Sequence, residues 1–177
     1  KAYLEQEYQK VAGTIQWYCL DHWQQQLDID IVAAKREIEH LIALRDDAPD
    51  FLNALRQSGR TVILVTNAHP DSLSLKVEHT QLDKYIDTLV STHKYGVTKE
   101  SQELWKKLQY DFGFEKTRTL FVDDSITILE SAQKYGVKHL LAIENPDSKQ
   151  PTKMIEQFQS TSDFREFLPQ ISSSGRL

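Results

Sequence analysis

The sequence lacks the features that mark several specialised classes of protein. Cys19 is the single cysteine among 177 residues, which argues against an internal disulfide framework or a cysteine-based zinc site. No apolar run approaches the roughly 18 residues that a membrane-spanning helix needs. The 21 basic residues are scattered and the net charge is −5, so a nucleic-acid polymer or an anionic membrane surface is not an expected partner. These absences favour a cytoplasmic protein and leave small molecules as its partners.

The sequence shows neither a signal peptide nor an initiator methionine at its start. Lys1 opens the chain and Met154 is its one methionine, so we expect that the translated protein begins further upstream. The length, with 40% apolar residues, is enough for one domain of ordinary size and a modest insertion.

Residues 1–45 have the pattern of a small helical cap. Apolar or aromatic residues recur three or four positions apart from Leu4 to Tyr18, as on one face of an amphipathic helix. A second helix, over about 31–44, follows an acidic break at 28–30 that supplies a cap and favourable charge.

Residues 46–177 alternate short apolar runs with helical periods. A helix is predicted from Asp46, Asp47 and Pro49 to Gly59. The predicted strands are 62–65, 87–91, 120–122 and 139–143. Such runs, separated by helices, indicate a parallel sheet covered on both faces. We therefore predict an α/β fold: a three-layer, Rossmann-like parallel-sheet core with a small helical cap, and a weakly patterned tail after 145.

Polar residues follow three of these strands, at the sheet edge where ligands bind in open parallel sheets. They are Thr66-Asn67 after the first strand, Lys99 beyond the second and Asp123-Asp124 after the third. Two adjacent carboxylates repel each other, so a hard divalent cation such as Mg²⁺ is their simplest partner. The alternative is that the pair only ends the strand and caps the next helix. Hydroxyl, ammonium and carboxylate groups together suit the transfer of a phosphoryl group.

The motifs VILVTNAH, Lys99 and LFVDDS resemble the second, third and fourth motifs of the haloacid dehalogenase superfamily, whose members are mostly magnesium-dependent phosphatases. The resemblance covers about residues 45–145. It implies that Asp124 is a direct magnesium ligand with Asp123 beside it, that Lys99 neutralises the phosphoryl group, and that Thr66 and Asn67 donate hydrogen bonds to its oxygens. Glu100 follows Lys99, where the family very often has proline, which puts only the local turn in doubt.

Three further segments resemble the bacterial GMP/IMP nucleotidase branch of that superfamily. They are WYCLDHW at 17–23, TNAHPDSLSLKVEHT at 66–80 and STHKYG at 91–96. This resemblance implies hydrolysis of small phosphomonoesters, in particular purine nucleoside 5′-monophosphates.

The family's first motif, a strand ending in Asp-X-Asp with the nucleophile first, does not lie upstream of residue 45. By resemblance that strand occupies the middle of the sheet, so we expect roughly 40 to 60 further residues before Lys1. The reaction would then run through an aspartyl-phosphate intermediate on that upstream aspartate. The alternatives are a phosphomutase, or a non-catalytic binding protein that keeps the scaffold without its nucleophile.

The histidines and the cap aromatics leave their roles open. His69, His79 and His93 lack the spacing of metal ligands in sequence, and they are left out of catalysis. The ring side chains at Trp17, Tyr18, His22 and Trp23 suit either stacking on a nucleobase or packing inside the helical segment.

Overall fold

The computed structural model describes residues 2–147 and 150–173. The chain divides into two compact units, Lys1–Leu44 with Thr61–Thr98 and Arg45–Arg60 with Lys99–Leu177. A boundary falls next to the predicted end of the cap at residue 45. The predicted assignment of residues 46–177 to one core stays a prediction. Within the described residues no helix is both long and apolar enough to cross a membrane.

Helices and strands alternate over most of the chain, as the sequence predicts. In chain order they are α1 (Ala2–Val11), α2 (Leu20–Leu27), α3 (Ile31–Glu37), α4 (Ala48–Gln57), β1 (Ile63–Thr66), α5 (Pro70–Thr80), β2 (Thr88–Ser91), α6 (Gln102–Phe112), β3 (Leu120–Asp123), α7 (Ile126–Tyr135), β4 (His139–Ile143), β5 (Ser160–Thr161) and α8 (Leu168–Ser173). Both α6 and α7 end at a glycine with positive φ, Gly113 and Gly136, a conformation that glycine adopts without steric cost.

The second cap helix is shorter than predicted. Asp30 caps α3 as expected, since its side chain accepts a hydrogen bond from the Ala33 N–H at 2.9 Å. The helix stops at Glu37 and gives way to a 3₁₀ turn at Glu39–Leu41. Ile38 and Leu41 are 54% and 63% exposed, so the apolar pattern behind the longer prediction does not face a core.

The cap aromatics pack mainly on one another. Tyr8 stacks on Trp23 with ring centroids 4.6 Å apart, and the edge of Trp17 meets Tyr8 at 6.0 Å. Trp23 is 7% exposed, and its Nε1 donates to the Trp17 carbonyl at 2.8 Å. Of the two roles left open by the sequence, the structure shows packing for Trp23.

The first unit contains a two-stranded parallel sheet. β1 and β2 pair so that Ile63 lies opposite Thr88 and Thr66 lies opposite Ser91. The carboxyl ends of the two strands are therefore level, and the polar residues that follow each strand emerge at the same edge.

The second unit contains a three-stranded parallel sheet in the order β3-β4-β5. The predicted run 139–143 forms β4 with the same bounds. Leu104, Leu129 and Leu141 are almost fully buried and form the centre of this unit's core. β5 was not predicted, because a two-residue strand carries no periodicity that could reveal it.

Four of the five described strands lie at sheet edges, β2 and β5 as well as β1 and β3. β1 pairs with β2 alone and β3 with β4 alone. All four residues of β1 are only partly buried, and Leu120 at the start of β3 is 47% exposed. The prediction of strands covered on both faces is met best by β4, whose last three residues are buried.

An ion pair at the start of α4 ties together three loops of the second unit. The Arg45 guanidinium donates to both carboxylate oxygens of Asp47, at 3.0 and 2.9 Å. It also donates to the carbonyls of Asn145 and Ser162. The second Asp47 oxygen accepts from the Phe164 N–H at 2.8 Å. Asp47 was predicted to help start this helix, and its side chain instead joins the helix to distant segments.

The charge state of Asp47 couples this network to pH. Burial alone would raise its pKa, but hydrogen bonds from Arg45 and Phe164 outweigh that effect and lower the pKa below its usual value. A carboxyl group with a lowered pKa in the folded state stabilises the protein at pH values above its unfolded pKa. That contribution is lost as the pH falls through the folded pKa.

We predict that Asp47→Asn lowers the free energy of unfolding by about 2 kcal/mol at neutral pH, because Arg45 loses its buried partner. The deficit relative to the unmodified protein should shrink in acid, as the pH falls through the lowered folded pKa of Asp47 and its carboxyl group becomes protonated. Urea unfolding at neutral and at acid pH measures both effects.

Asp50→Asn is the matched control. Asp50 lies on the same helix and pairs with Arg165 at 2.8 Å, but its side chain is 54% exposed. An exposed pair contributes little to stability, so this variant should unfold nearly as the unmodified protein does. Equal losses in the two variants would contradict the role given to Asp47.

Candidate active site

A lysine and a carboxylate meet at the end of β3. Lys99 Nζ lies 2.5 Å from Asp123 Oδ2, and the two side chains are 14% and 5% exposed. The apolar run Leu120–Val122 places Asp123 as the last residue of the strand, so the carboxylate reaches the sheet edge while its backbone stays in the ladder. The structure thus brings together Lys99 and Asp123, as the sequence predicts.

The second oxygen of Asp123 is also engaged. Asp123 Oδ1 accepts a hydrogen bond from the Ser125 N–H at 3.0 Å. Burial raises the pKa of Asp123 above its ordinary value, although the Lys99 ammonium and the Ser125 N–H oppose the shift; the neighbouring charge of Asp124 raises it further. The effect of burial on the pKa of Asp123 is therefore larger than the opposing effects of Lys99 and Ser125. Additional positive charge nearby would favour the ionised form of this carboxylate.

Asp124 follows directly and is exposed. α7 begins at Ile126 with Ser125 as its N-cap residue, and the Ser125 side chain makes no capping hydrogen bond. The capping alternative for the aspartate pair is represented by the hydrogen bond that the Ser125 N–H donates to the Asp123 carboxylate. Carboxylate oxygens are the ligands that Mg²⁺ prefers, so an exposed Asp124 beside an incompletely neutralised Asp123 fits that ion chemically.

The backbone of Lys99 is held by a hydrogen-bond network to α6 and α7. Trp105 Nε1 of α6 donates to the Lys99 carbonyl at 3.1 Å and lies 2.9 Å from Ser131 Oγ of α7. Ser131 Oγ donates to the Glu100 carbonyl at 3.0 Å, and Gln102 Nε2 donates to the Ser131 carbonyl at 2.8 Å. These bonds fix the turn before α6, in which Glu100 follows Lys99, to α7.

Trp105 also joins the network to the strand. Its ring is 3% exposed and meets Phe121 of β3 edge-on at 4.9 Å. No sequence pattern indicates the bonds from Trp105 to Lys99 and Ser131, because these bonds depend on the packing of α6 against α7 and β3.

Thr66 and Asn67 belong to the first unit, where they follow β1. Thr66 Oγ1 accepts a hydrogen bond from the Ala68 N–H at 3.1 Å, which leaves its own proton available as a donor. Asn67 is 5% exposed, and its Oδ1 accepts from Thr92 Oγ1 at 3.1 Å. The predicted roles of Thr66 and Asn67 toward a phosphoryl group stay predictions.

Two further polar residues order the turn after β1. Thr92 is fully buried, and Ser91 Oγ donates to the Ala68 carbonyl at 2.7 Å. The sequence placed Thr92 at the right sheet edge without giving it a role. Its pairing with Asn67 follows from the register of β1 against β2, which a single sequence does not specify.

A family model and several known proteins match the chain. The model for haloacid dehalogenase-like hydrolases matches residues 3–142. The GMP/IMP nucleotidase YrfG of Escherichia coli strain K12 is 43% identical over 169 residues, which are 96% of this chain and 76% of the relative. The protein of the same name from Shigella flexneri matches equally.

Solved structures show the same fold at low sequence identity. A HAD phosphatase from Thermococcus onnurineus matches with a TM-score of 0.76 and 18% identity, over 99% of this chain and 80% of that one. The L-2-haloacid dehalogenase of Xanthobacter autotrophicus matches with a TM-score of 0.59 and 15% identity, over 72% of this chain and 60% of that one. The predictions of a Rossmann-like α/β fold and of an enzyme of the phosphatase type are confirmed. The chain belongs to the haloacid dehalogenase-like hydrolase family, as its motifs predict.

Proposed function

We propose that the protein is a magnesium-dependent phosphomonoester hydrolase whose substrates are purine nucleoside 5′-monophosphates such as GMP and IMP. The observation that carries the proposal is the buried Lys99–Asp123 pair beside the exposed Asp124. It occurs in a chain that is 43% identical to a GMP/IMP nucleotidase. The proposed substrates are cytoplasmic metabolites, which agrees with the location predicted from the sequence.

Lys99 supplies positive charge for the phosphoryl group. A phosphomonoester brings negatively charged oxygens, and hydrolysis redistributes that charge over the transferred group. Asp123 holds the ammonium in place before substrate arrives, so no reorganisation is needed when charge develops. The Trp105 and Ser131 network limits the movement of the lysine's backbone.

Asp124 and Asp123 would hold the magnesium ion, with Asp124 as a direct ligand. When bound, magnesium polarises the phosphoryl group and neutralises part of its charge. Thr66 would donate its hydroxyl, and Asn67 its backbone N–H, to phosphoryl oxygens. By resemblance, the aspartate of the family's first motif, which we expect upstream of Lys1, attacks phosphorus, and water then cleaves the aspartyl phosphate.

Phosphate release by the full-length protein tests the reaction and its metal. We predict release from GMP and IMP that needs Mg²⁺ and stops when the ion is chelated. Asp124→Asn should lower kcat/KM by roughly 100-fold or more, because a metal ligand is lost. Glu130→Gln, which removes an exposed carboxylate from α7, is the matched control and should leave activity unchanged.

The substrate panel separates the reaction from its specificity. It should include AMP, CMP and several sugar phosphates beside GMP and IMP. Phosphate release from sugar phosphates alone would support the proposed phosphatase activity and contradict the proposed purine nucleotide substrates. Full activity of Asp124→Asn without magnesium would exclude the proposed mechanism.

Lys99→Met tests whether the lysine has a catalytic as well as a structural role. We predict a fall in kcat of about 100-fold or more, together with a loss of stability, because Asp123 stays buried without its partner. In the double variant Lys99→Met/Asp123→Asn the unpaired charge is gone, so the thermal midpoint should recover while activity stays low. Lys106→Met, which removes an exposed lysine from α6, serves as the control.

These measurements distinguish two roles of the same residue. If Lys99 only supports the fold, Lys99→Met should keep most of its activity when it is assayed well below its thermal midpoint, where it is folded. Substantial activity of the folded single variant would therefore contradict the catalytic role.

A further inference from the structure

Three side chains with metal-ligating atoms meet inside the first unit. The Cys19 sulfur and one ring nitrogen each of His69 and His93 all lie within 4.8 Å of one another. Cys19 precedes α2, whereas His69 and His93 follow β1 and β2. The sequence placed these residues 50 and 24 positions apart, which is why spacing gave no metal-ligand motif.

His93 presents a buried nitrogen that lacks a protein partner. Its Nε2 is inaccessible and makes no hydrogen bond in the structure. Nε2 is therefore a buried nitrogen that is open to a ligand, as in histidines that bind metals. A buried polar atom without a partner calls for a ligand.

Both ring nitrogens of His69 have partners. Nδ1 accepts a hydrogen bond from the Asp71 N–H at 3.4 Å and lies 3.5 Å from Asp71 Oδ2, whereas Nε2 lies 3.5 Å from Asp21 Oδ2. A metal at one nitrogen would replace the contact made there and leave the other nitrogen beside a carboxylate. The two carboxylates also place negative charge beside a site that would carry a cation.

The chemical types of the three ligand atoms indicate which metal ion the cluster would bind. One thiolate and two imidazoles suit Zn²⁺, whereas Mg²⁺ takes oxygen ligands. Tetrahedral zinc at its usual bond lengths would hold these ligand atoms about 3.3 to 3.6 Å apart. The three side chains would thus close by roughly 1 Å, which rotation about side-chain bonds can provide.

We propose that Cys19, His69 and His93 form a zinc site that joins the start of α2 to the carboxyl ends of β1 and β2. Zn²⁺ binds the Cys19 thiolate and two neutral imidazoles, and the thiol proton is released to solvent. The fourth ligand is water or the Asp21 carboxylate. The site does not rest on the phosphatase proposal, because its ligands and its ion differ from those given to Asp123 and Asp124.

Alkylation of Cys19 by iodoacetamide, followed by mass spectrometry of the peptide that contains it, tests the site on the full-length protein. We expect stoichiometric Zn²⁺ to slow alkylation at least tenfold, while millimolar Mg²⁺ leaves the rate unchanged. His69→Gln and His93→Gln should each abolish most of the protection. Co²⁺ should give a thiolate-to-metal absorption band that Cys19→Ser removes.

His79→Gln is the matched control, because His79 lies in the same unit and pairs with Glu39 outside the cluster. It should keep the full protection. The circular dichroism spectrum and thermal midpoint of each variant without metal establish that the histidine variants are folded. Alkylation that zinc does not slow, or protection that persists in both folded cluster variants, would overturn the proposal.

Discussion

The structure of the candidate active site depends on a carboxylate that is buried at the end of a strand. Asp123 is 8% exposed, and an ionised carboxylate in such a place is costly unless it is paired. Lys99 provides that pairing, and Trp105 and Ser131 fix the turn that carries Lys99. The packing of α6 against α7 and β3 therefore also positions the positive charge of Lys99 beside Asp123.

Much of the fold could be predicted because it is encoded locally. The run at 139–143 gives β4 with its bounds, and the glycines after α6 and α7 mark where those helices end. Predictions from the local sequence pattern failed where contacts with the rest of the fold determine whether a helix or strand forms. α3 ends at Glu37 because Ile38 and Leu41 do not reach a core, and β5 forms because β4 offers it an edge.

In the candidate site, too, the residues that follow local motifs could be predicted, and those brought together only by packing could not. The position of Lys99 and Asp123 at one edge of the sheet could be predicted, because each occupies a motif position next to a strand. The structure adds the 2.5 Å contact between them. Trp105 and Ser131 could not be predicted as supports of Lys99, since their bonds join residues 26 positions apart. Cys19, His69 and His93 were set aside for the same reason: their proximity exists only after the helical segment packs beside β1 and β2.

The two proposed metal sites differ in their ligand chemistry. A thiolate with two imidazoles has little affinity for magnesium, so the proposed zinc site would not compete for the ion proposed at Asp124. Zinc bound at Cys19 would act through the packing of its own unit. If zinc at low concentration protects Cys19 while magnesium-dependent phosphate release continues, the two sites are independent. If release falls in parallel with protection and recovers in His93→Gln, zinc regulates the enzyme through the segment that Cys19 anchors.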